Sequence, residues 1–398
     1  MRRKRDFKTV LVSAAFGAVT ALLAFGGLVT HWVGGTYALR DTFKYAMAMK
    51  LVDEAFIGET DSAAVRDSVY HAIVESLDDR WCYYMSAQDY ERYTQYTGGS
   101  YEGIGVTIEA DGESGGQRIL SVVEESPAER AGIRVGDVII GIGGSDTRGL
   151  PLTEASGLIR DYEESTEIPI TLLGDDGAER SVTVRRETIK RVLVEGRLLD
   201  DGVGYVRITR FDTGSGEDFV RVVDELIESG ASSLVFDVRS NPGGKVDELL
   251  IMLDKLLPEG VIFLREDRSG EPRENKSDPE CIELPMAVLV NGDSYSAAEF
   301  FAVALREYDW ASIVGERTTG KNRAQVTFRL PDGSALHMSI SRYLTPIERL
   351  DLAQTEGLTP DIVCALEEGE LPAFIPKTGE SKLDSQVRAA LETLALQP

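Results

Sequence analysis

An uncharged stretch from Thr9 to Thr30, rich in Val, Leu, Ala, Phe and Gly, follows the cluster Arg2-Arg3-Lys4-Arg5. No other feature restricts the fold so strongly. As a helix, a segment of that length spans about 33 Å, enough to cross the hydrocarbon core of a bilayer. Basic residues upstream of a span stay cytoplasmic, so everything after it is expected outside. Residues 1–34 therefore read as a cytoplasmic basic tail and a single-pass signal anchor in the cell membrane. The rival is a cleaved signal peptide. Its apolar region would run about 7–15 residues, with a small-x-small cleavage site. The stretch here is longer, and Thr36-Tyr37-Ala38 is a weak site.

The 398 residues suggest two or three domains. A hydrophobic content of 42% can build ordinary cores, and the net charge of −25 argues against a nucleic-acid partner. Cys82, Cys281 and Cys364 are odd in number and far apart. They show no metal-ligand spacing and no disulfide framework, although one disulfide is compatible with an extracytoplasmic location.

Residues 35–97 carry helical spacing over Ala46–Phe56 and Ala63–Leu77, and the polar stretch Tyr93–Ser100 reads as a linker. Residues 98–187 are a series of short strands and turns, with short helices ending at Gly132 and over 152–160 and a hairpin around Asp175-Asp176-Gly177. From Gly202 the pattern is α/β. Phe219, Val222, Val223, Leu226 and Ile227 define one helix face, and Leu234–Val238 and Met286–Val290 are buried strands. Ala297, Phe300, Phe301, Ala304 and Leu305 repeat the helix spacing. This region, 188–370, is the expected core. A terminal helix within 371–398, bearing Leu383, Val387, Ala390, Leu391 and Leu394, is expected to pack on it.

Gly315-x-x-x-x-Gly320-Lys321 has the spacing of a phosphate-binding loop. That loop needs Ser or Thr after the lysine and then a helix. Here Asn322 follows, and Ala324–Leu330 leads into the turn Pro331-Asp332-Gly333, as a hairpin strand does. Nucleotide binding is therefore disfavoured, and the lysine needs another purpose. Ser296 stands where a strand turns into a helix. By itself it reads first as an N-cap; the other reading is a nucleophile whose neighbour Ala297 offers a helix-terminal amide to developing negative charge. A nucleophilic serine needs a base. The chain has three histidines, His31, His71 and His337, none suggestively placed. A desolvated lysine can replace histidine, and Lys321 in its glycine-flanked turn is the candidate. Gln325 could orient its amine. Leu234–Lys245 ends in Asn241-Pro242-Gly243-Gly244, and the Gly243 or Gly244 amide could complete an oxyanion hole with Ala297.

These residues resemble the carboxyl-terminal processing (tail-specific) proteases. That family has an S-A-S-A-S-E segment containing the nucleophile and a G-K-x-x-x-Q segment containing the base. The chain has Ser294-Tyr-Ser296-Ala-Ala298-Glu299 and Gly320-Lys321-Asn-Arg-Ala-Gln325, with 25 residues from Ser296 to Lys321. It also has Asp237-Val-Arg239-Ser-Asn241-Pro-Gly243-Gly244, Tyr343-Leu-Thr-Pro346 and Gly357-Leu-Thr-Pro-Asp361. Residues 101–186 resemble the family's PDZ domain, with Gly103-Ile104-Gly105-Val106 as its carboxylate-binding loop. The resemblance implies a ClpP/crotonase-like α/β protease core with an inserted β-rich PDZ domain. It implies a Ser-Lys dyad that needs no metal and no cofactor. The implied substrates are extracytoplasmic proteins with accessible C-termini, and a homo-oligomer or an adaptor protein is left open. An inactive PDZ adaptor on a protease scaffold is the alternative. The chain departs from the family pattern at Tyr295 and Ala298, where small residues and serine are usual, and at Asn322-Arg323.

Overall fold

The computed structural model describes residues 35–98, 100–162, 166–174, 177–368, 370, 372 and 383–396, with 26, 27 and 31. Apart from Gly26 and Gly27, the apolar stretch Thr9–Thr30 lies outside them. Among the described residues no helix is long and apolar enough to cross a membrane.

The chain divides into two units, residues 1–77 and 78–398. The first contains the helices Thr36–Ala55 and Ser62–Glu75. Asp61 caps the second by accepting from the Ala63 and Ala64 amides. Ser62 Oγ donates to Asp53 Oδ1 at 2.5 Å, which ties the two helices together.

In the second unit, a six-stranded sheet runs in the order Val194–Leu198, Val203–Ile208, Ser233–Asp237, Met286–Val290, Ala311–Gly315 and Ile362–Val363. Its first pair is antiparallel and the rest are parallel. Parallel strands covered on both faces read as unbroken apolar runs, and those at 234–238 and 286–290 are such runs. Leu234, Phe236, Val288 and Val290 face the helices Ser215–Glu228, Val246–Leu256 and Ala297–Glu307. Val235, Ala287 and Leu289 face the terminal helix Ser385–Ala395, through Val387, Ala390 and Leu394. Arg239 staples that helix to the central strand: its fully buried guanidinium pairs with Asp237 at 2.6 Å and Asp384 at 2.7 Å.

A second, antiparallel sheet pairs Tyr83–Met85 and Arg323–Arg329 with the long strand Ala335–Leu344. Gly260–Asp267 and Pro272–Ser277 extend it. This sheet brings the start of the second unit, residues 79–85, beside the segment that follows Lys321. The expected linker over 93–100 is corrected here, because Ala87–Thr97 is a helix. Ser86 caps it through the Asp89 amide, and Tyr93 packs edge-on against His337 at 5.7 Å. Aromatic packing from a distant strand overrides the polar local composition.

Residues 100–190 form the β-rich insertion. The strands Ser100–Gly103 and Glu187–Lys190 pair where the chain enters and leaves it. Its main sheet runs Val106–Ala110, Gln117–Val122, Val138–Ile142, Ile168–Leu173, Glu179–Val184, with Ser145–Asp146 on the third strand. Ile104, Ile119, Ile139, Ile168, Ile170 and Leu172 fill its core. Val106–Ala110 lies at the edge of this sheet, and the helix Leu152–Arg160 packs near it.

Candidate active site

The strand Met286–Val290 ends in a turn held by Ser294, whose hydroxyl donates to Val238 O at 2.7 Å and accepts from the Asn291 amide. Ser296 follows with φ 60° and ψ −124°, immediately before the helix Ala297–Glu307. A non-glycine residue in this region is strained by about 1–3 kcal/mol and persists only where its surroundings enforce it. Two contacts do so. Ser296 N donates to Glu299 Oε2 at 2.9 Å. Gly243 lies directly against the turn: a Cβ there would stand 2.8 Å from Ser296 Cβ and from Tyr295 O, and 2.9 Å from Ala297 N. The sequence Asn-Pro-Gly-Gly therefore supplies the room that the serine's backbone occupies. Ser296 itself is 8% exposed.

Asn241 organises the facing loop. It is fully buried, donates to Ile208 O at 2.7 Å, and accepts the Gly243 amide at 2.8 Å. Its own carbonyl accepts Tyr295 N at 3.1 Å, which joins the two loops. The Gly243 N–H is thus taken. Among the described residues, the Gly244 and Ala297 amides have no protein acceptor. Gly244, at φ 154°, is pressed on Phe211, where a Cβ would fall 2.3 Å from the carbonyl oxygen.

Glu299 is the residue whose role the sequence reading passed over. It is 0% exposed and accepts four hydrogen bonds. Oε2 takes Ser296 N and Lys321 N, at 2.9 and 2.8 Å; Oε1 takes Gly320 N and Thr318 Oγ1, at 2.7 and 2.5 Å. One carboxyl group therefore fixes the backbones of both proposed dyad residues. Burial pushes its pKa up, and these four donors pull the other way. The signal was present as Ser-x-x-Glu at a helix start, a capping box; the reach to the lysine loop was not.

The glycines flanking the lysine also find their purpose. Gly320, at φ 82°, packs on the 352–357 turn, and a Cβ there would lie 2.8 Å from Gly357 N. Asn322 is buried, hydrogen-bonded to Asp351 and accepting Tyr343 N. Lys321 is half-buried. Desolvation lowers its pKa to about 8, with Arg80 in the same direction and Asp79 and Glu299 opposing. Its Nζ stands 4.4 Å from the Trp81 ring centre and 5.7 Å from that of Tyr295.

Gln325 donates its amide to Arg323 O and Ser339 Oγ, each at 3.0 Å, and not to the lysine. Ser339 lies beside Asp79, whose pKa it helps to lower. His337 is engaged by Thr327 and stacked on Tyr83, and burial, with the Lys321 charge, lowers its pKa to about 4. Among the described residues no group of three or more His, Cys, Asp or Glu converges as a metal site, and the three cysteines are free.

Gly103, Ile104, Gly105 and Val106 lie in the insertion, where Ile104 O accepts Ala128 N and Gly105 O accepts Val123 N. Gly105, at φ 87°, sits against Ser126, 2.3 Å from where its Cβ would be. Val106 opens the edge strand. A cleft of about 1470 Å³ runs from Thr107 and Leu120 of the insertion to Ser240 and Pro242, beside the Gly243-Gly244 loop.

An α/β core with a strained serine at a helix N-terminus, carrying a β-rich insertion, is the architecture of a hydrolase with a separate recognition module. Residues 202–364 match peptidase family S41, and residues 118–186 match a PDZ domain. The carboxyl-terminal-processing protease of Picosynechococcus sp. is 32% identical over 337 residues, covering 83% of this chain and 80% of its own. The carboxy-terminal processing protease CtpA of Bacillus subtilis is 28% identical over 350 residues, covering 86% and 74%. A crystal structure from Bacteroides fragilis described as an S41 protease shares the fold, at a TM-score of 0.56 and 18% identity over 82% of this chain and 90% of that one. The chain belongs to peptidase family S41, as a serine-type carboxyl-terminal processing endopeptidase with a PDZ domain.

Proposed function

We propose that the chain is a membrane-anchored endopeptidase that captures the free C-termini of extracytoplasmic proteins and cleaves them with a Ser296–Lys321 dyad, on a core of the ClpP/crotonase-like kind. The observation that carries this is Glu299, which clamps the Ser296 and Lys321 amides on one oxygen. Ser296 Oγ attacks the scissile carbonyl as its proton passes to Lys321 Nζ. The Gly244 and Ala297 amides receive the oxyanion. The C–N bond then breaks as the ammonium protonates the leaving amine, and water, deprotonated by Lys321, releases the acyl group. Gln325 is assigned a supporting role, holding Ser339 beside Asp79, whose charge faces the base. A covalent serine-directed probe is expected to label Ser296 and to leave Ser296→Ala unlabelled. An unlabelled, inactive wild type would favour the PDZ adaptor instead.

Capture is assigned to the Gly103–Val106 loop, with the edge strand Val106–Ala110 open to β-strand addition by an extended tail. A free-tailed substrate is expected to exceed its C-terminally amidated twin about tenfold or more in kcat/KM. Gly105→Ala, which forces a side chain into Ser126, should remove the difference. Equal cleavage of the two twins by wild type would sink tail capture. Binding of the tail is further proposed to gate the dyad, so an uncleavable apolar-ended peptide should accelerate turnover of a separate short substrate; without acceleration, the domain only tethers.

The anchor rests on Arg2–Arg5 and the uncharged stretch Thr9–Thr30. A reporter fused after Pro398 should be active only if it works outside the cytoplasm. A mature N-terminus near Tyr37 would show cleavage instead.

A further inference from the structure

We infer that Trp81, together with Tyr295, is a positioning residue for the general base: the two rings cover Lys321 and hold its amine at their faces. The inference rests on the dyad reading above. Its geometry does not come from the catalytic motifs. Trp81 lies 240 positions before Lys321 in the sequence, yet its ring centre is 4.4 Å from Nζ. Tyr295, the residue immediately before Ser296, approaches the same amine at 5.7 Å. The two rings stack on each other, 6.0 Å between centres and 29° between planes. The base thus sits against an aromatic pair, one member of which belongs to the nucleophile's own turn.

The segment that carries Trp81 is anchored on both sides. Trp81 N donates to Asp79 Oδ1 at 3.0 Å, and Cys82 N donates to Asp79 O at 2.9 Å. The strand Tyr83–Met85 then pairs with Ala335–His337, on the hairpin that begins just after the lysine. Asp79, its side chain only 13% exposed, pairs further with Arg323 at 3.8 Å. Arg80 lies over the same indole at 4.5 Å. The charged and titratable groups facing the amine are therefore Asp79, Arg80, Glu299 and His337.

Two opposed effects meet at these rings. Their bulk keeps water off the amine, which favours the neutral base. Their negative faces attract the ammonium formed when that base takes the serine proton. A lysine so placed can be deprotonated near neutral pH and still be held in one position after protonation. The Tyr295 departure from a small residue then acquires a role in holding the base.

The test combines a pH profile with a direct view of the amine. For wild type, kcat/KM on a short peptide is expected to rise with pH through a limb at about 8. Trp81→Ala should admit water and move that limb up by about one pH unit, with about a tenfold loss at pH 7 that is recovered in alkali. Trp81→Phe keeps the cover and should keep the limb. A loss in Trp81→Ala that is equal at every pH would reduce Trp81 to a packing role and overturn the inference. The second arm needs no activity: NMR of ¹³C-methylated lysines in Ser296→Ala, with Lys321 assigned by Lys321→Arg. The Lys321 signal should be shifted upfield by ring currents and titrate well below the other lysines. An unshifted signal overturns the inference even if the dyad stands and even if Trp81→Ala does not fold. An active Lys321→Ala enzyme with a shifted signal would instead remove the dyad and leave the aromatic cover in place.

Discussion

Ser296→Ala, Lys321→Ala and the double variant should each lose about 10⁴-fold or more in kcat/KM, and the three losses should be nearly equal. Residues that act as one unit give non-additive losses, because once the attack or the proton transfer is gone the partner has nothing left to do. Lys321→Arg should be as inactive as Lys321→Ala. Arginine keeps the charge but cannot give up a proton near neutral pH, and a base is what the serine requires. The measurement is steady-state kinetics on a short peptide, paired with thermal unfolding to show that the variants are folded. A Lys321→Ala enzyme near wild-type rate would end the dyad mechanism. So would losses that multiply in the double variant, since they would make the two residues independent contributors.

The second large effect belongs to Glu299. Glu299→Ala should destabilise the core by about 3–5 kcal/mol and abolish activity. It strands the Ser296, Gly320 and Lys321 amides and the Thr318 hydroxyl in a fully buried site. Glu299→Gln separates alignment from packing, because it keeps the shape. Each carboxyl oxygen now accepts two donors, so the new NH₂ must face one pair. Thr318 can turn its hydroxyl to accept, so the favoured orientation aims the NH₂ at Thr318 and Gly320 and leaves the Ser296 and Lys321 amides served. Glu299→Gln is therefore expected to cost about 1–3 kcal/mol in urea unfolding, from the stranded Gly320 amide, while kcat stays within about tenfold of wild type and KM changes little. A folded Glu299→Ala enzyme with near wild-type kcat would show that the clamp is dispensable.

Much of this molecule is written in local pattern. The strands at 234–238 and 286–290 are legible because a strand buried on both faces must be apolar throughout. The helices at 215–228, 297–307 and 385–395 are legible because each has one face against that sheet. Asn322, the strand pattern of Ala324–Leu330 and the Pro331-Asp332-Gly333 turn together argue against a phosphate-loop helix, and the structure has the strand Arg323–Arg329 there. Ser296, Lys321 and the Gly243-Gly244 loop are each open to a bland reading from residue type alone, and become the expected site only through the resemblance of their motifs to the carboxyl-terminal processing proteases.

Tertiary structure decided what those candidates touch. The Gly243 amide turns to Asn241, which leaves Gly244 and Ala297 with unengaged donors. Gln325 turns to Ser339 and not to the lysine. Glu299 reads as a helix cap until the 318–321 loop folds over it. Trp81 carries no hint of a role, because its neighbourhood depends on Tyr83–Met85 pairing with a strand some 250 residues later. The polar stretch 93–97 reads as a linker and becomes helix for the same reason. Periodicity records which face of an element is buried, since burial is enforced residue by residue along that element. It holds no record of which distant segment does the burying, because that is settled by sheet register and loop packing, and these exist only once the chain has closed on itself.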